Sequence, residues 1–415
     1  MRTNDSLSPA RPWRESWLWI GALAMALTWL GLGLGLKMEP FCHAGRDSYT
    51  LMALAWRKGM LSLGQDYPWL ELAIYKGDWY VSFPSVPALV MLPLTFLFGE
   101  DTPNTLAVGL YFLGSYFAAY HLARRFRKPE EACFMALFMC LGCNALDLSL
   151  TGDVWYQAQL LCFLLTTCCA LGLTGDSHRG WALALFCLAL SVGCRPFQAA
   201  FVPFALAALW RKLDPEKAFS PAKTLLKMLP YLIAPALVAA ALGWYNWARF
   251  GNPLEFGHNY LPEFTRDPEL PQMSLKYVGG NIRNLLRLPR FNNGLLEFER
   301  FNGFAFWLAN PIYVTAGIAM IAKAVRRRWD LLDSLLLAGF AVELFLTLMH
   351  KTLGGWQFGA RYLADLVPML LLIELRGRDR VTAWERAVGL FAIAFNIYGT
   401  VVFHLIDKGY IVFLN

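Results

Sequence analysis

Charge is what this sequence has least of. Only 16% of its 415 residues are Asp, Glu, Lys or Arg, against roughly 25% in soluble globular domains. That excludes a water-soluble enzyme of ordinary composition. Internal repeats, low-complexity segments and a long polar domain are also missing. So are the short alternating segments that build a transmembrane barrel. Cysteine is present but unorganised. The nine cysteines fall mostly inside apolar runs, where they read as small buried hydrophobes. Cys140/Cys143 and Cys168/Cys169 lack His or Cys partners at zinc spacing, and Cys42 stands alone in a polar stretch. No disulfide framework and no metal ligand set is assigned.

What the chain has is hydrophobicity, 57% of all residues. Apolar runs of about 15–20 residues alternate with short charged loops, which is the pattern of an all-α polytopic membrane protein. The net charge of +7 is no nucleic-acid signal, because Lys and Arg sit between apolar runs, where they set topology. Membrane lipids are expected partners and nucleic acid is not. No oligomeric state is assigned.

The stretch 41–80 is the exception, a polar and aromatic insert just after the first apolar run, 17–36. Residues 83–99 are apolar but short, with three prolines. If they cross the bilayer, the basic loops 123–128, 177–180, 210–217, 323–329 and 376–380 all fall outside. If they lie along the surface or dip and return, all five fall inside, as Lys and Arg in short loops prefer. Residues 83–99 are therefore read as a juxtamembrane or re-entrant helix.

The remaining spans are then 105–122, 132–150, 156–174, 181–194, 197–210, 227–247, 303–323, 331–349, 362–375 and 384–404. With the first they make about eleven, each near bilayer length. Residues 1–415 form a single transmembrane domain with two long extracytoplasmic loops, 37–104 and 248–302. The basic N-terminus is read as the cytoplasmic tail of an uncleaved anchor.

Candidate chemistry gathers at the outer ends of these spans. Asp47 opens SYTLMALAWRK, which looks helical and stops at Gly59. It suits a helix N-cap, though Thr50 at the third position gives no capping box. It equally suits a general base that deprotonates an acceptor hydroxyl. Arg46 and His43 beside it would hold it ionised or bind an anion. Asp153, in TGDVWY, is either a solvated loop acid or a second functional acid; two carboxylates brought together would suit Mg2+ or Mn2+.

Arg195, His258, Lys351 and Arg361 stand at span ends, where snorkelling accounts for any one of them. A converging set would instead bind phosphate. Arg361 follows GGWQFGA, and Trp356, Gln357 and Tyr362 offer stacking and hydrogen bonds for a sugar. Tyr80, the last aromatic of the polar insert, is taken with them as substrate-binding. Glu255 and Glu263 are further acids of the second loop. Glu343 and Asp365, in or near spans, would suit a transport path. His350 and His404 would suit a membrane acyltransferase but show no partner acid in the sequence.

The order of these features resembles the GT-C superfamily of polytopic glycosyltransferases, in particular the group with protein O-mannosyltransferases and the lipid A aminoarabinose transferase. The resemblance rests on GRDSYTLMALAWRKGML, FPSVPALVMLPLTFLFGED and LARRFRKPEEACFMALFM, and more loosely on NWARFGNPLEFGHNYL and WQFGARYLADLVP. It covers the first 150 or so residues best. It implies a GT-C-like bundle in an inner membrane, with a hexosyl or pentosyl transferase site on the extracytoplasmic face. The donor would be a polyprenyl-phosphate sugar, with Asp47 as base and Asp153 as the second-loop acid. Many members carry paired acids where Asp47 is followed here by Ser48. The large soluble C-terminal domain of some members is expected to be missing. The competing expectation is a lipid-linked saccharide flippase, against which stand the absence of an inverted repeat and the concentration of polar groups on one face.

Overall fold

The computed structural model describes residues 16–266 and 269–411. The N-terminal tail, expected in the cytoplasm, lies outside them. In chain order the elements are α1 (Ser16–Gly35), α2 (Ser48–Arg57), β1 (Leu72–Tyr75), β2 (Asp78–Val81), α3 (Val86–Phe98), α4 (Asn104–Arg124), α5 (Pro129–Leu141), α6 (Ala145–Leu148), α7 (Val154–Thr174) and α8 (His178–Val192). Then come α9 (Val202–Leu213), α10 (Pro221–Phe250), α11 (Pro262–Thr265), α12 (Val278–Leu286), β3 (Arg290–Asn292), β4 (Leu295–Glu297), α13 (Phe306–Ala309), α14 (Ile312–Val325), α15 (Leu331–Met349), α16 (Val367–Gly377) and α17 (Ala383–Asp407).

The expected polytopic helical architecture is what forms. Among the described residues six helices, α1, α4, α7, α10, α15 and α17, are long and apolar enough to cross a membrane. They match six of the eleven expected spans. The other five are shorter or composite, because a breaker sits inside each or at its edge. Run 132–150 divides into α5 and α6 around Gly142 and Asn144. Run 197–210 becomes a 3-10 segment, Pro196–Phe201, and then α9. Run 303–323 is interrupted before α14 at Pro311, and run 362–375 starts as the 3-10 segment Arg361–Leu366. Close packing depends on small residues. A Cβ on Gly21 of α1 would lie 1.9 Å from the Tyr116 hydroxyl oxygen of α4.

The basic turns gather at one end of the bundle and interlock. Arg211 meets Asp330 at 2.7 Å, Lys212 meets Asp176 at 2.5 Å and Arg376 meets Asp330 at 3.1 Å. The opposite end carries the long loops. Helix α3 starts and finishes at that loop-rich end. Its first amide, Val86 N, donates to Gly193 O at 3.1 Å. Just past its exit, Asn104 Oδ1 accepts from Ala44 N at 2.7 Å. Thirteen residues rise only about 20 Å, short of a hydrocarbon core of about 30 Å. The geometry is that of a helix that does not traverse the bundle.

The loop-rich end also holds two hairpins that the apolar periodicity does not reveal. Leu72 pairs with Val81 and Tyr75 with Asp78; Arg290 pairs with Glu297 and Asn292 with Leu295. Both turn on two residues of positive φ, Lys76-Gly77 at 51° and 83° and Asn293-Gly294 at 48° and 80°. This is the type I′ geometry that suits the twist of paired strands.

Candidate active site

Asp47 is the N-cap of α2. Its Oδ1 accepts from Tyr49 N and Thr50 N, each at 3.1 Å, and from Gln157 Nε2 of α7 at 2.7 Å. Its Oδ2 accepts the Thr50 hydroxyl, and His43 Nδ1 lies 3.9 Å away. The carboxylate is buried with every near neighbour a donor. Burial raises its pKa, while Thr50 and Gln157 act against the rise by favouring the ionised form. Thr50 thus replaces the missing capping-box acid by giving both its amide and its hydroxyl.

Asp153 also occupies an N-cap, that of α7, but its side chain makes no cap bond. Its carboxyl stays half-buried and open. Burial pushes its pKa up; Arg46, the Thr151 hydroxyl and Arg361 hold it down, and Asp47 raises it further. The two aspartates are brought together by the backbone. Val154 N donates to Arg46 O at 2.9 Å. Asn104 Nδ2 donates to Ala44 O at 3.1 Å and to Gly152 O at 3.0 Å, so one amide links both loops. A Cβ on Gly152 would come within 2.5 Å of that Asn104 side chain. Beside Asp153, Arg46, Trp69, Glu71 and Trp155 line a pocket of about 250 Å3.

Trp155 is shared with a second space, a cleft of about 200 Å3. Arg195, His258, His350 and Tyr362 line it, together with Glu255, Phe83 and Pro84. Arg195 Nε donates to Asp365 Oδ2 at 2.7 Å, and its guanidinium lies 4.5 Å from the Tyr362 ring centre. Burial works against its charge, but Asp365 and Tyr362 more than offset that and keep it protonated. His350 is fully engaged: Nδ1 faces Thr352 O at 2.7 Å and Nε2 faces Gln272 Nε2 at 3.1 Å. Burial and the neighbouring His258 push its pKa down to about 3.

Arg361 is close by but turned inward. Nε and Nη2 donate to Gly354 O at 2.9 and 2.7 Å, and Nη1 donates to Gln159 Oε1 at 2.9 Å. Its guanidinium rests 4.9 Å from the centre of the Tyr362 ring, opposite in role to Arg195. Gln357 supports that fold. Its Oε1 accepts from Arg361 N at 2.6 Å and its Nε2 donates to Leu353 O at 2.9 Å.

Three expected binders stand apart from the cleft. Trp356 is exposed, donates to Asp407 Oδ1 at 2.9 Å and lies under Arg300. Lys351 donates to Glu263 O at 2.9 Å. Tyr80 packs edge-on against Phe250, with ring centres 5.3 Å apart. Of the expected residues, Arg195, His258 and Tyr362 line the cleft, Arg46 lines the pocket beside it, and Asp47 and Arg361 form its buried supports.

No protein-family model matches this chain, and no curated protein matches its sequence. Solved structures do match. The apo oligosaccharyltransferase of Archaeoglobus fulgidus aligns with a TM-score of 0.53 at 14% identity, over 97% of this chain and 57% of its own. AglB from Archaeoglobus fulgidus, in complex with an inhibitory peptide and a dolichol-phosphate, gives 0.54 at 13% identity, over 98% and 57%. ArnT from Cupriavidus metallidurans bound to undecaprenyl phosphate gives 0.50 at 16% identity, over 92% and 63%. The likeness is one of fold: the helical bundle of this chain follows that of these oligosaccharyltransferase and ArnT structures. The chain spans 57% to 63% of the length of these three proteins.

Within this fold a network of amides that sequence reasoning did not single out sets the cleft. Gln159 Nε2 donates to Asp365 Oδ1 at 3.1 Å and to Arg361 O at 2.9 Å. Gln198 Nε2 donates to Glu343 Oε1 at 3.0 Å and to Asp365 O at 3.0 Å. Gln157, Gln159 and Gln198 are buried polar residues in otherwise apolar segments, and that was the available signal. His404 also has a partner acid that the sequence hides, Asp147 at 3.0 Å.

A further Archaeoglobus fulgidus oligosaccharyltransferase structure is a complex with Zn and sulfate. In this chain the two aspartates do not fit a shared cation. Both Asp47 oxygens already accept hydrogen bonds, and among the described residues no three of His, Cys, Asp and Glu come together as ligands.

Proposed function

We propose that the protein transfers a sugar from a polyprenyl-phosphate donor to a hydroxyl acceptor at the loop-rich end of its bundle. The observation that carries this reading is the meeting of a polar cleft, walled by the Arg195 guanidinium, with an apolar groove. Pro84 lines the cleft, and the next two residues, Ser85 and Val86, line a groove of about 320 Å3 bounded by Trp56, Leu89, Leu190 and Tyr245. A phosphate-headed isoprenoid has that same division, with its charge at one end and its hydrocarbon at the other.

In this reading Arg195 holds the phosphate and stabilises it as the leaving group, which needs a cation more than an acid. Tyr362 stacks on the guanidinium and fixes its plane. Asp153, the open acid, takes the proton of the acceptor hydroxyl, and the acceptor approaches along the Arg46 and Glu71 pocket. Asp47 acts through Gln157 and the start of α2, which position the Asp153 loop. Holding both reactants in one geometry supplies much of the rate gain. The distribution of Lys and Arg supports a multi-pass protein of a bacterial cytoplasmic membrane, with its N-terminus inside and its site outside.

The test is incubation of the purified protein in lipid with a panel of polyprenyl-phosphate hexoses and pentoses, with donor turnover read by mass spectrometry. Turnover of at least one donor by wild type, lost in Asp153→Asn, is the expected result. Donor movement across vesicles without bond cleavage would replace transfer by transport.

A further inference from the structure

His258 sits in a turn that glycine makes possible. Gly257 has φ of 106°, and a Cβ there would come within 2.9 Å of the Phe250 ring and 3.2 Å of Ser82 Cα. The close approach delivers His258 Nδ1 to Ser82 O at 2.7 Å. A backbone carbonyl only accepts, so Nδ1 carries the hydrogen. In the neutral ring Nε2 is then a bare lone pair. Phe83, edge-on at 5.2 Å, and Phe264, stacked at 6.4 Å, hold the ring in that attitude. Among the described residues none hydrogen-bonds to Nε2, and His258 is part of the cleft wall.

The groups that face it are Arg195, Glu255 and His350. Burial and Arg195 together push the pKa of His258 down to about 4, with the Ser82 carbonyl and Glu255 opposing. The sequence placed His258 among the candidate phosphate binders; with Nδ1–H given to Ser82 O, the nitrogen left for a ligand is an acceptor. An ionised phosphate oxygen brings no proton to a lone pair and would be repelled by it. A sugar hydroxyl brings one.

We infer that His258 Nε2 is a hydrogen-bond acceptor for a hydroxyl of the donor sugar, leaving the phosphate to Arg195. This rests on the transferase reading above. The donor is the source of the hydroxyl, because Arg195 and His258 share one cleft and the phosphate carries its sugar with it.

The experiment compares full-length wild type, His258→Phe and His258→Gln for binding of two probes without acceptor. One probe is undecaprenyl phosphate, and the other is the undecaprenyl-phosphate sugar that wild type binds best in the panel. Loss of one neutral hydrogen bond is worth about fivefold in affinity. H258F should bind undecaprenyl phosphate within about twofold of wild type and the sugar-bearing lipid about fivefold more weakly. H258Q, whose amide oxygen accepts, should recover most of that loss. Equal weakening of both probes in H258F would overturn the inference while leaving the transferase reading in place.

Diethyl pyrocarbonate attacks unprotonated imidazole nitrogen and gives a check that needs no variant. His258 should be carbethoxylated in wild type at pH 6, and the sugar-bearing lipid should protect it while undecaprenyl phosphate alone does not. An unlabelled His258, or equal protection by the two lipids, would overturn the inference. If wild type binds neither lipid, the transferase reading fails and this inference goes with it.

Discussion

Arg195 Nε and Asp365 Oδ2 lie 2.7 Å apart although 170 residues separate them in the chain. The pair ties the turn after α8 to the segment that starts α16, and it aims a guanidinium at the cleft. Removing one partner of a buried pair costs about 3 kcal/mol, because the other charge is left without compensation.

Arg195→Gln is expected to lower thermal stability by about that amount and donor turnover by about 100-fold or more. The double variant Arg195→Gln/Asp365→Asn should regain most of the stability and none of the turnover. Detergent-phase unfolding and mass-spectrometric turnover on the same samples separate the two effects. Recovered turnover in the double variant would count against Arg195 as the phosphate holder.

Asp47→Asn should unfold within about 0.5 kcal/mol of wild type, since Asn caps helices nearly as well as Asp. Asp47→Ala should lose about 1–2 kcal/mol, because α2 loses its cap and the Gln157 amide loses its buried partner. Thermal melts of both variants decide the matter. Equal melts would mean that the cap contributes little.

Burial raises the Asp153 carboxyl above its usual range, and Arg46 holds it back. A base acts when ionised, so kcat/KM should rise with pH through a limb above the ordinary Asp value of about 3.9. Arg46→Gln should move that limb higher still, and Asp153→Asn should remove it along with most of the activity. Stability follows the opposite slope. The folded state binds the proton more tightly than the unfolded one, so this group's contribution falls as pH rises from about 3.9 through the folded pKa and is constant above it. Asp153→Asn should flatten that slope. An acid limb unmoved by Arg46→Gln would rule out Asp153 as the titrating group.

Two glycines of positive φ should respond very differently to alanine. At Gly77, φ is 83° and nothing lies within 4 Å of the added Cβ, so the cost is backbone strain of about 1–2 kcal/mol. At Gly359, φ is 71° and the Cβ would fall 2.1 Å from Asn144 Nδ2, which donates to Phe358 O at 2.8 Å. Gly359→Ala should therefore lose roughly 3 kcal/mol or more, as strain adds to a broken buried hydrogen bond. Paired melts of the two variants give the comparison.

The parts of this fold that could be read from sequence are those governed by local physics. Long apolar runs gave α1, α4, α7, α15 and α17 to within a few residues of their ends, whereas α10, with Pro230 and Pro235 inside it, starts at Pro221, well before its run. Asp47 and Gly59 bracket α2 as cap and stop, Gly59 having φ of 71°. Where Gly142, Pro196 or Pro311 intervenes, hydropathy continues while the helix does not. The hairpin turns Lys76-Gly77 and Asn293-Gly294 were visible as dipeptides, yet their flanking strands are too short to show clear alternation.

Site residues split along the same line. Arg195, His258 and Tyr362 converge as their span-end positions suggested. Trp356 sits one residue from Gln357 and points to Asp407 instead, because sequence position in a loop does not set side-chain direction. That Asp47 caps α2 was legible locally, but its partner Gln157, 110 positions on, was not.

Trp155 forms one wall of both the cleft and the pocket beside it, and its indole Nε1 is held by Glu71 Oε2 at 3.1 Å. A single flat ring thus partitions two chambers, and its latch belongs to a surface loop and not to the helices. The bond that fixes the ring between the two spaces thus comes from the short segment just ahead of the first hairpin.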